Sequence, residues 1–513
     1  LAYRYRDYVI RSLNSDKPFD RFLREQLAGD ELSGFAAGVR VTPEIVEQLE
    51  ATHFLRNAQD GTGESDGNPQ EVRQDRRVVL EGTLEIMGSV LFGLTLQCAK
   101  CHDHKFEPVT QQDYLSLMAV LTPAYNLDNW LVPTDRFVYA ALPEELAAFT
   151  AARKQGKLSE LERPGKIAAV LDVVPVVAEL SLPIPGMPEG TGPKVGPAGL
   201  HVLAELANPF SVRQPTAGAV SSGSRLALAQ WLTRPQSRPA ALVARLQVNR
   251  IWQQYFGQGL STTPANFGFS GNAPSHPELL EWLASQLVRS GWSTKSVHRL
   301  ILTSAAYRQS SRFDAVAQAL DPENRLLWRM PQRRLGAEAV RDALLAVSGN
   351  LDTRMGGPAI PVVQTGEGEF VVHDTAPGGR RRSVYLQQRR SQVPTLLSVF
   401  DAPSLVTNCV ERPPSTVPLQ SLALLNSEFV LSRGVGFARR LAQEAGPASD
   451  ARVVLAFRLA YGRCPDLDEL KASLEFVKNQ TLHYIGQSPN PQQRAWADFC
   501  HTLLASNEFL YRD

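Results

Sequence analysis

The sequence predicts a mainly α-helical protein of two helical domains, with a few short strands near the domain junction. Apolar residues recur at three- and four-residue steps, as at Leu80, Leu84 and Met87, and this spacing is typical of a helix buried along one face. Helix-start signals precede several of these stripes. A stretch rich in proline and glycine divides the helical pattern into two parts.

The first predicted domain spans 1–182 and contains helices before its strands. Each helix has a start signal or an apolar stripe, and we expect helices from Thr42-Pro43 to about Asn57, along Leu80 to Leu94, and from Thr110 to about Leu121. The valines and leucines of 167–182 indicate one or two strands. The loop 61–69 holds Glu64 and Asp66, but it lacks the spacing of an EF-hand, which favours a solvated loop over a calcium site.

A Pro/Gly-rich linker is predicted over 183–223, followed by a helical domain over 224–513. Ser275 and Glu278 form a capping-box pattern at one helix start, and Ser293 begins the next helix. A further helix is expected to begin near Ala337 and to end at Gly349.

Composition narrows the class of protein. The chain has 513 residues, 43% of them hydrophobic and 20% charged, as in an ordinary globular protein. A net charge of +1 gives no electrostatic footprint for nucleic acid. No apolar run approaches the ~20 residues that span a bilayer. The chain begins with leucine in a helical pattern, so we expect it to be processed or truncated, with any export signal outside it.

The most informative motif is Cys98-Ala99-Lys100-Cys101-His102. In a C-x-x-C-H motif the two thiols attach haem covalently, and the histidine binds the iron as proximal ligand. A zinc site would need more ligands; His104 could serve, but no second C-x-x-C follows. An iron–sulfur cluster or a thioredoxin-like pair lacks its usual spacing or βαβ setting. The motif therefore favours haem c, with structural zinc or an inert thiol pair left open.

The segment 93–108 around the motif resembles the haem-motif segment of a family of secreted planctomycete cytochrome-like proteins. A second set of segments resembles the C-terminal domain that accompanies it: 248–253, 266–268, 274–280, 290–293, 298–301, 304–310, 321–324, 355–358, 400–403 and 507–511. The resemblance implies covalent haem, a periplasmic or extracellular location, and often a further cytochrome domain upstream. It also points towards carbohydrate, because such proteins are commonly encoded near polysaccharide-degrading enzymes.

A haem iron can take a second axial ligand, and the candidates for this distal position are His298, His276 and His53. For His276 and His298, a structural role is the alternative. His104 lies only two residues beyond His102, so we expect it to contact a propionate or a carbonyl, or to line an open site. If no histidine reaches the iron, the open position indicates small-molecule chemistry.

Five arginines between Arg380 and Arg390 surround Val384 to Leu386, which we predict to be a short strand. Arginine forks suit anionic ligands, so Arg389, Arg390 and the nearby Asp401 are candidates for a site that binds an anionic substrate or the haem propionates. Ion pairing within the protein is the alternative. Cys409, Cys464 and Cys500 could include one disulfide or be three free thiols.

These observations predict an extracytoplasmic c-type haem protein with a redox role, which could be a haem-dependent oxidoreductase acting on an organic substrate. The catalytic candidates are His104, His276, His298, Arg389, Arg390 and Asp401. The expected partners are an electron-transfer protein or an upstream cytochrome domain, and an anionic carbohydrate. The alternatives are a non-enzymatic binding or scaffold module with a structural haem, and a zinc-stabilised interaction protein.

Overall fold

The structure is a computed structural model that describes residues 1–62, 67–154, 163–184, 192–213, 218–389, 391–403, 409 and 411–512. Over these residues the chain is mainly α-helical with short two-stranded sheets, which confirms the predicted fold class. It forms two compact units, Leu1–Gln309 with Phe313–Met330, and Ser310–Arg312 with Pro331–Asp513. Glu64 and Asp66 of the loop 61–69 lie outside the described residues.

The first unit carries the elements up to residue 330. Its helices are α1 (Ala2–Asn14), α2 (Phe19–Ser33), α3 (Pro43–Ala51), α4 (Pro69–Met87), α5 (Gln111–Leu121), α6 (Pro143–Lys154), α7 (Ser224–Thr233), α8 (Arg238–Phe256), α9 (Pro277–Arg289), α10 (Thr294–Leu302), α11 (Ala305–Arg308) and α12 (Ala315–Leu320). Its strands form two antiparallel pairs, β1 (Val138–Tyr139) with β2 (Lys166–Ile167) and β3 (Leu180–Ser181) with β4 (Lys194–Val195).

One hydrophobic core runs through the first unit. It joins α4 and α5 to α7, α8 and α9, and its members include Leu84, Met118, Trp231, Ile251 and Leu283. Burial on this scale is the main stabilising force of such a unit. The core therefore connects helices on both sides of the segment 183–223.

The second unit carries the remaining elements. They are β5 (Arg333–Arg334), α13 (Ala337–Val347), β6 (Val363–Gln364), β7 (Phe370–Val371), α14 (Thr395–Val399), α15 (Pro418–Asn426), α16 (Glu428–Glu444), α17 (Ser449–Tyr461), α18 (Leu467–His483), α19 (Pro491–Leu504), α20 (Asn507–Leu510) and β8 (Tyr511–Arg512). The strand pairs β5–β8 and β6–β7 are antiparallel. Phe437, Leu441, Trp496 and Leu504 are buried on helices α16 and α19.

Several predicted helix starts are confirmed. Thr42 caps α3, with Pro43 in its first turn, and Thr110 forms a full capping box with Asp113 at the start of α5. Ser293 caps α10. Helix α13 ends just before Gly349, which has a φ of 73°.

Two local predictions are wrong. Helix α9 has His276 as its N-cap, and no side-chain hydrogen bond caps it, because the Ser275 hydroxyl instead contacts the Leu260 carbonyl at 3.4 Å and His276 Nδ1 at 3.0 Å. The predicted strand at Val384 is a 3₁₀ turn over Ser383–Tyr385. Only the Leu386 end makes a bridge, to Ile360, so a three-residue apolar run without a neighbouring strand takes a tight turn.

The division into 1–182 and 224–513 stays a sequence-based prediction. The compact units divide the chain near residue 330, and the described part of the linker 183–223 lies within the first unit. Residues 185–191 and 214–217 of that linker lie outside the described residues. In the part of the chain that the structure describes, no helix combines the length and the apolarity needed to cross a membrane.

Candidate functional site

A left-handed glycine fixes the direction in which the chain leaves α4. The helix continues into a π-helical turn over Gly88–Phe92, and Gly93 then takes a φ of 59°. A Cβ at Gly93 would lie 2.5 Å from Cδ2 of Leu246, so a side chain there would both clash and be strained. The Gly93 carbonyl accepts a hydrogen bond of 2.6 Å from the Phe267 amide. The start of the motif segment is therefore held against α8 and the loop after it.

The motif itself is a short turn anchored by one buried residue. Gln97–Lys100 forms a 3₁₀ helix in which Ala99 is fully buried in the core. Cys98 and Cys101 are exposed free thiols on either side of it, and His102 is also exposed. The turn therefore presents both thiols and the imidazole at the surface.

His102 has a fixed tautomer. Its Nδ1 lies 2.7 Å from the carbonyl oxygen of Asp103, and a carbonyl can only accept a hydrogen bond. Nδ1 therefore carries the hydrogen, and the Nε2 lone pair of the neutral ring is left for another partner. Metal-binding histidines commonly have this arrangement, in which a backbone carbonyl orients the ring.

His104 is engaged in its own loop. Its Nδ1 accepts hydrogen bonds from the amides of Phe106 and Glu107, at 3.2 and 2.9 Å. Its amide donates to the Val109 carbonyl at 2.8 Å. Because Nδ1 is an acceptor here, the hydrogen of the neutral ring lies on Nε2. In this arrangement His104 shapes the loop after the motif.

A buried carboxylate joins that loop to the loop after α8. Glu107 is 4% exposed and accepts hydrogen bonds from the Phe269 amide at 2.7 Å, the Ser270 amide at 3.0 Å and the Ser270 hydroxyl at 2.6 Å. Burial alone would raise the pKa of Glu107, but these hydrogen bonds outweigh burial and keep it below its usual value. A Cβ at Gly268 would lie 2.0 Å from the carboxylate oxygen, so the contact requires glycine.

The motif is also tied to its flanking helices. Asp103 accepts a hydrogen bond from the Gln111 amide at 2.8 Å, at the start of α5. The Gln111 side chain donates to the Lys100 carbonyl at 3.0 Å, and the Lys100 ammonium pairs with Glu81 of α4 at 2.7 Å. Both ends of the motif are therefore fixed before any ligand binds.

The three candidates for the distal position each have a partner in the protein. His53 Nδ1 contacts the Ala168 carbonyl at 3.1 Å, and burial lowers the pKa of His53 to about 4, so its ring is neutral. His298 Nδ1 lies 2.8 Å from the Tyr255 hydroxyl, and burial lowers its pKa. His276 Nδ1 lies 3.0 Å from the Ser275 hydroxyl. All three belong to the first unit, as the motif does, and distal ligation stays a prediction.

Asp401 belongs to the second unit, where it stabilises a turn. It has a φ of 66° and accepts hydrogen bonds from the Ser415 amide and hydroxyl at 2.8 and 2.7 Å, and it pairs with Arg334. Burial alone would raise the pKa of Asp401, but the hydrogen bonds from Ser415 and the charge of Arg334 outweigh burial and keep this pKa below its usual value. Arg389 is exposed and pairs through its backbone with Gln392. Arg390 lies outside the described residues.

Two arginines in and near the arginine-rich segment bind the protein itself. Arg381 donates to the carbonyls of Arg354 and Gly356, and its guanidinium carbon lies 3.9 Å from the centre of the Tyr385 ring. Arg341, on α13, likewise donates to the carbonyl of Arg381. Arg381 is therefore held by backbone carbonyls, and Arg380 pairs with Asp374 at 3.5 Å, which is the ion pairing named as the alternative.

All five cysteines are free thiols, and Cys500 is the buried one. Within the described ranges, no three histidine, cysteine, aspartate or glutamate side chains come together as a possible metal-ligand set. Cys98, Cys101 and His102 are among these described residues. A haem iron differs from zinc in this respect, because the porphyrin supplies four ligands and the protein needs to supply only His102.

A buried charge cluster in the first unit was not predicted. Arg225 on α7 is 1% exposed and donates to both oxygens of Asp30, at 2.8 and 2.7 Å, and to Asp172 at 2.8 Å. It also reaches the Leu27 carbonyl at 3.2 Å, where α2 is kinked at Ala28. The buried side chain of Glu31 lies beside the same arginine. The cluster therefore holds three carboxyl groups and a single guanidinium.

Glu107 and Arg225 could not be singled out from the sequence. Glu107 pairs with residues 162 and 163 positions later, and Arg225 pairs with Asp30 at a separation of 195. Neither pair has a spacing that local patterns report. The available signal for Glu107 was its place five residues after His102, within the segment that resembles the haem-motif family.

Comparisons with known protein families match two separate regions of the chain. Residues 1–125 match the family model PSCyt2, a protein of unknown function (DUF1549). Residues 224–477 match PSD1, a protein of unknown function (DUF1553). The chain carries this pair of domains, which occurs in planctomycete-type proteins. No curated protein and no solved structure matches it significantly.

Proposed function

We propose that this chain is an extracytoplasmic c-type haem protein with a redox role, in which haem is bound covalently to Cys98 and Cys101. His102 is the proximal ligand of the iron. The observation that carries the proposal is the hydrogen bond of 2.7 Å from His102 Nδ1 to the Asp103 carbonyl, which leaves Nε2 for the metal. Both thiols are free and exposed in the same short turn.

The residues fit the group in three respects. The thiols are unpaired, so both can form thioethers. The ring of His102 is oriented by the backbone. His104 does not compete for the iron through its Nδ1 atom, because that atom accepts hydrogen bonds from two amides. Ala99 anchors the turn in the core, so the spacing of the two sulfurs is set before attachment.

When bound, haem supplies one-electron chemistry at the iron. The chain's own contribution is to hold the ring of His102 and to fix the motif through Lys100, Glu81 and Gln111. A rigid site lowers the reorganisation that accompanies each electron transfer. The partner in this proposal is another redox protein or an upstream cytochrome domain. Coupling to the oxidation of an organic, carbohydrate-related substrate would make the chain an oxidoreductase.

The zinc-stabilised alternative has less support from the geometry. The described residues bring together no set of three metal-binding side chains, and His104 uses Nδ1 as an acceptor. A binding or scaffold module with a structural haem differs from the proposal only in whether the iron changes its oxidation state. Reversible reduction of the visible spectrum separates these two.

The test is covalent haem on the exported chain. Expression in a bacterium that has the haem-attachment machinery should give a chain that keeps haem-dependent peroxidase colour on a denaturing gel. The Cys98→Ala/Cys101→Ala double variant should lose that colour. Cys464→Ala is the matched control, because Cys464 is also an exposed free thiol but lies outside the motif, and it should keep the colour.

His102→Ala adds a second measurement. It should alter the Soret band, because the iron loses its proximal ligand. A wild-type chain without covalent haem, or one that carries a stoichiometric zinc ion instead, would overturn the proposal. Reversible spectral change with ascorbate and ferricyanide is expected for the redox role, and a spectrum that does not respond would favour the structural haem.

A further inference from the structure

We propose that Phe106 and Phe269, the second from the PSD1 region, form an apolar wall of the haem site, and that Glu107 positions this wall. This inference rests on the proposed function. It assigns residues of both matched regions to one composite site within the first unit.

Both phenylalanines leave most of their surface exposed to solvent. Phe106 is 62% exposed and Phe269 is 83% exposed. The loops that carry them are in contact, because the Phe269 amide donates to the carboxylate of Glu107, the residue after Phe106. Aromatic rings exposed on two loops that are hydrogen-bonded to each other can form one contiguous apolar patch, and such patches mark binding surfaces.

The contact between the two loops is made by a single buried side chain, that of Glu107. The Glu107 carboxylate receives three hydrogen bonds from Phe269 and Ser270, and it is itself almost fully buried. Gly268 leaves no room for a side chain against it. The Phe106 amide is fixed from the other side by His104 Nδ1. The backbone amides of both aromatic residues are therefore held by hydrogen bonds, while most of each residue is exposed to solvent.

A porphyrin is the occupant that this surface fits. The loop with Phe106 follows the attachment motif directly, four residues after His102, and a porphyrin is a flat apolar ring system that packs well on aromatic side chains. The Lys105 ammonium lies 5.2 Å from the centre of the Phe106 ring. The ammonium lies over the ring face, so a porphyrin that stacks there displaces it towards a propionate of the same molecule.

The test uses protoporphyrin IX and the chain made without haem-attachment machinery. A metal-free porphyrin needs neither thioether bonds nor a histidine ligand, so its binding reports on the wall alone. Titration followed by tryptophan quenching should show binding to the wild type. Phe269→Ala and Phe106→Ala should each weaken it about 3- to 10-fold. Phe313→Ala is the matched control, because Phe313 is 65% exposed in the same unit, and it should bind like the wild type.

Glu107→Gln tests the positioning role separately. The variant keeps the size of the side chain but turns one acceptor into a donor that faces amide hydrogens. Hydrogen exchange at Phe269 and Ser270 should become faster, porphyrin binding should weaken, and exchange elsewhere in the unit should stay unchanged. Unchanged exchange at these two amides would contradict the positioning role.

Two results would overturn the wall. One is a wild-type chain that does not bind protoporphyrin IX, and the other is phenylalanine variants that bind as well as Phe313→Ala. Neither result depends on covalent haem staining, so failure of the wall and failure of the proposed function are distinguishable.

Discussion

Replacement of Arg225 by leucine should destabilise the first unit strongly. The guanidinium is 1% exposed, and it faces Asp30 at 4% and Asp172 at 0% exposure. Four hydrogen bonds to the two carboxylates and to the Leu27 carbonyl would be lost together. Removing one partner of a buried ion pair leaves uncompensated charge and costs about 3–5 kcal/mol.

The assay is urea unfolding followed by tryptophan fluorescence. All of the tryptophans except Trp496 lie in the first unit, so the signal follows that unit. Arg73→Leu is the matched control, because Arg73 lies in the same unit and also pairs with a carboxylate, that of Asp128, but is 55% exposed. Exposed pairs contribute about 0–1 kcal/mol, so the control should unfold almost like the wild type, with fluorescence unchanged.

The contrast between the two variants decides the reasoning. If Arg225→Leu lowers the free energy of unfolding by no more than Arg73→Leu does, burial does not set the strength of the cluster. Arg225→Lys gives a further check, because lysine keeps the charge but cannot bind both oxygens of Asp30 in the same fork. It should fall between the wild type and the leucine variant.

Three other outcomes follow from the contacts described. Burial raises the pKa of Glu31 from 4.5 to about 7, so the folded protein binds this proton more tightly than the unfolded chain does. The stability that the bound proton gives is fully present below pH 4.5 and is lost as the pH rises through 7. Glu31→Gln should remove this loss, about 3 kcal/mol, from a series of unfolding curves at different pH values. Gly268→Ala should lower the melting temperature, because its Cβ would lie 2.0 Å from the Glu107 carboxylate, whereas Gly196→Ala, with open space around it in the same unit, should not. A fragment 1–182 should show no cooperative unfolding by circular dichroism, because it lacks the other half of the core; a sharp transition would instead support separate folding of the predicted first domain.

Local patterns predicted most of the helical architecture. Thr110 could be predicted as a helix start because a capping box is a contact between residues three apart. The capping-box pattern that starts at Ser275 gave the wrong cap, because Ser275 lies one position before the actual N-cap, His276. Pro277 occupies the first turn after His276. A pattern of this kind gives the existence of a helix more reliably than the residue that caps it.

The candidate site was predictable only where its chemistry is contiguous. The motif from Cys98 to His102 is a run of neighbours, so its residue types and spacing are visible in the sequence. The part that positions it is not visible, because Glu107 finds its partners at Phe269 and Ser270. The arginines from Arg380 onwards show the opposite case, since their charge is plain in the sequence but the acceptors of Arg381 are backbone carbonyls.

The two matched regions depend on each other for groups that neither can satisfy alone. Without Arg225 of the second region, the buried carboxylate of Asp30 in the first region would lose its charge partner. The Ser270 amide and hydroxyl are bound by Glu107, and the Phe267 amide is bound by the carbonyl of Gly93. Each of these contacts places charge or a backbone group of one region inside the other, where an unmet partner costs more than the contact itself contributes. The segment from Cys98 to His102 and the first part of the PSD1 region are therefore one structural unit, and the proposed redox partner or substrate should be sought on the surface that they form together.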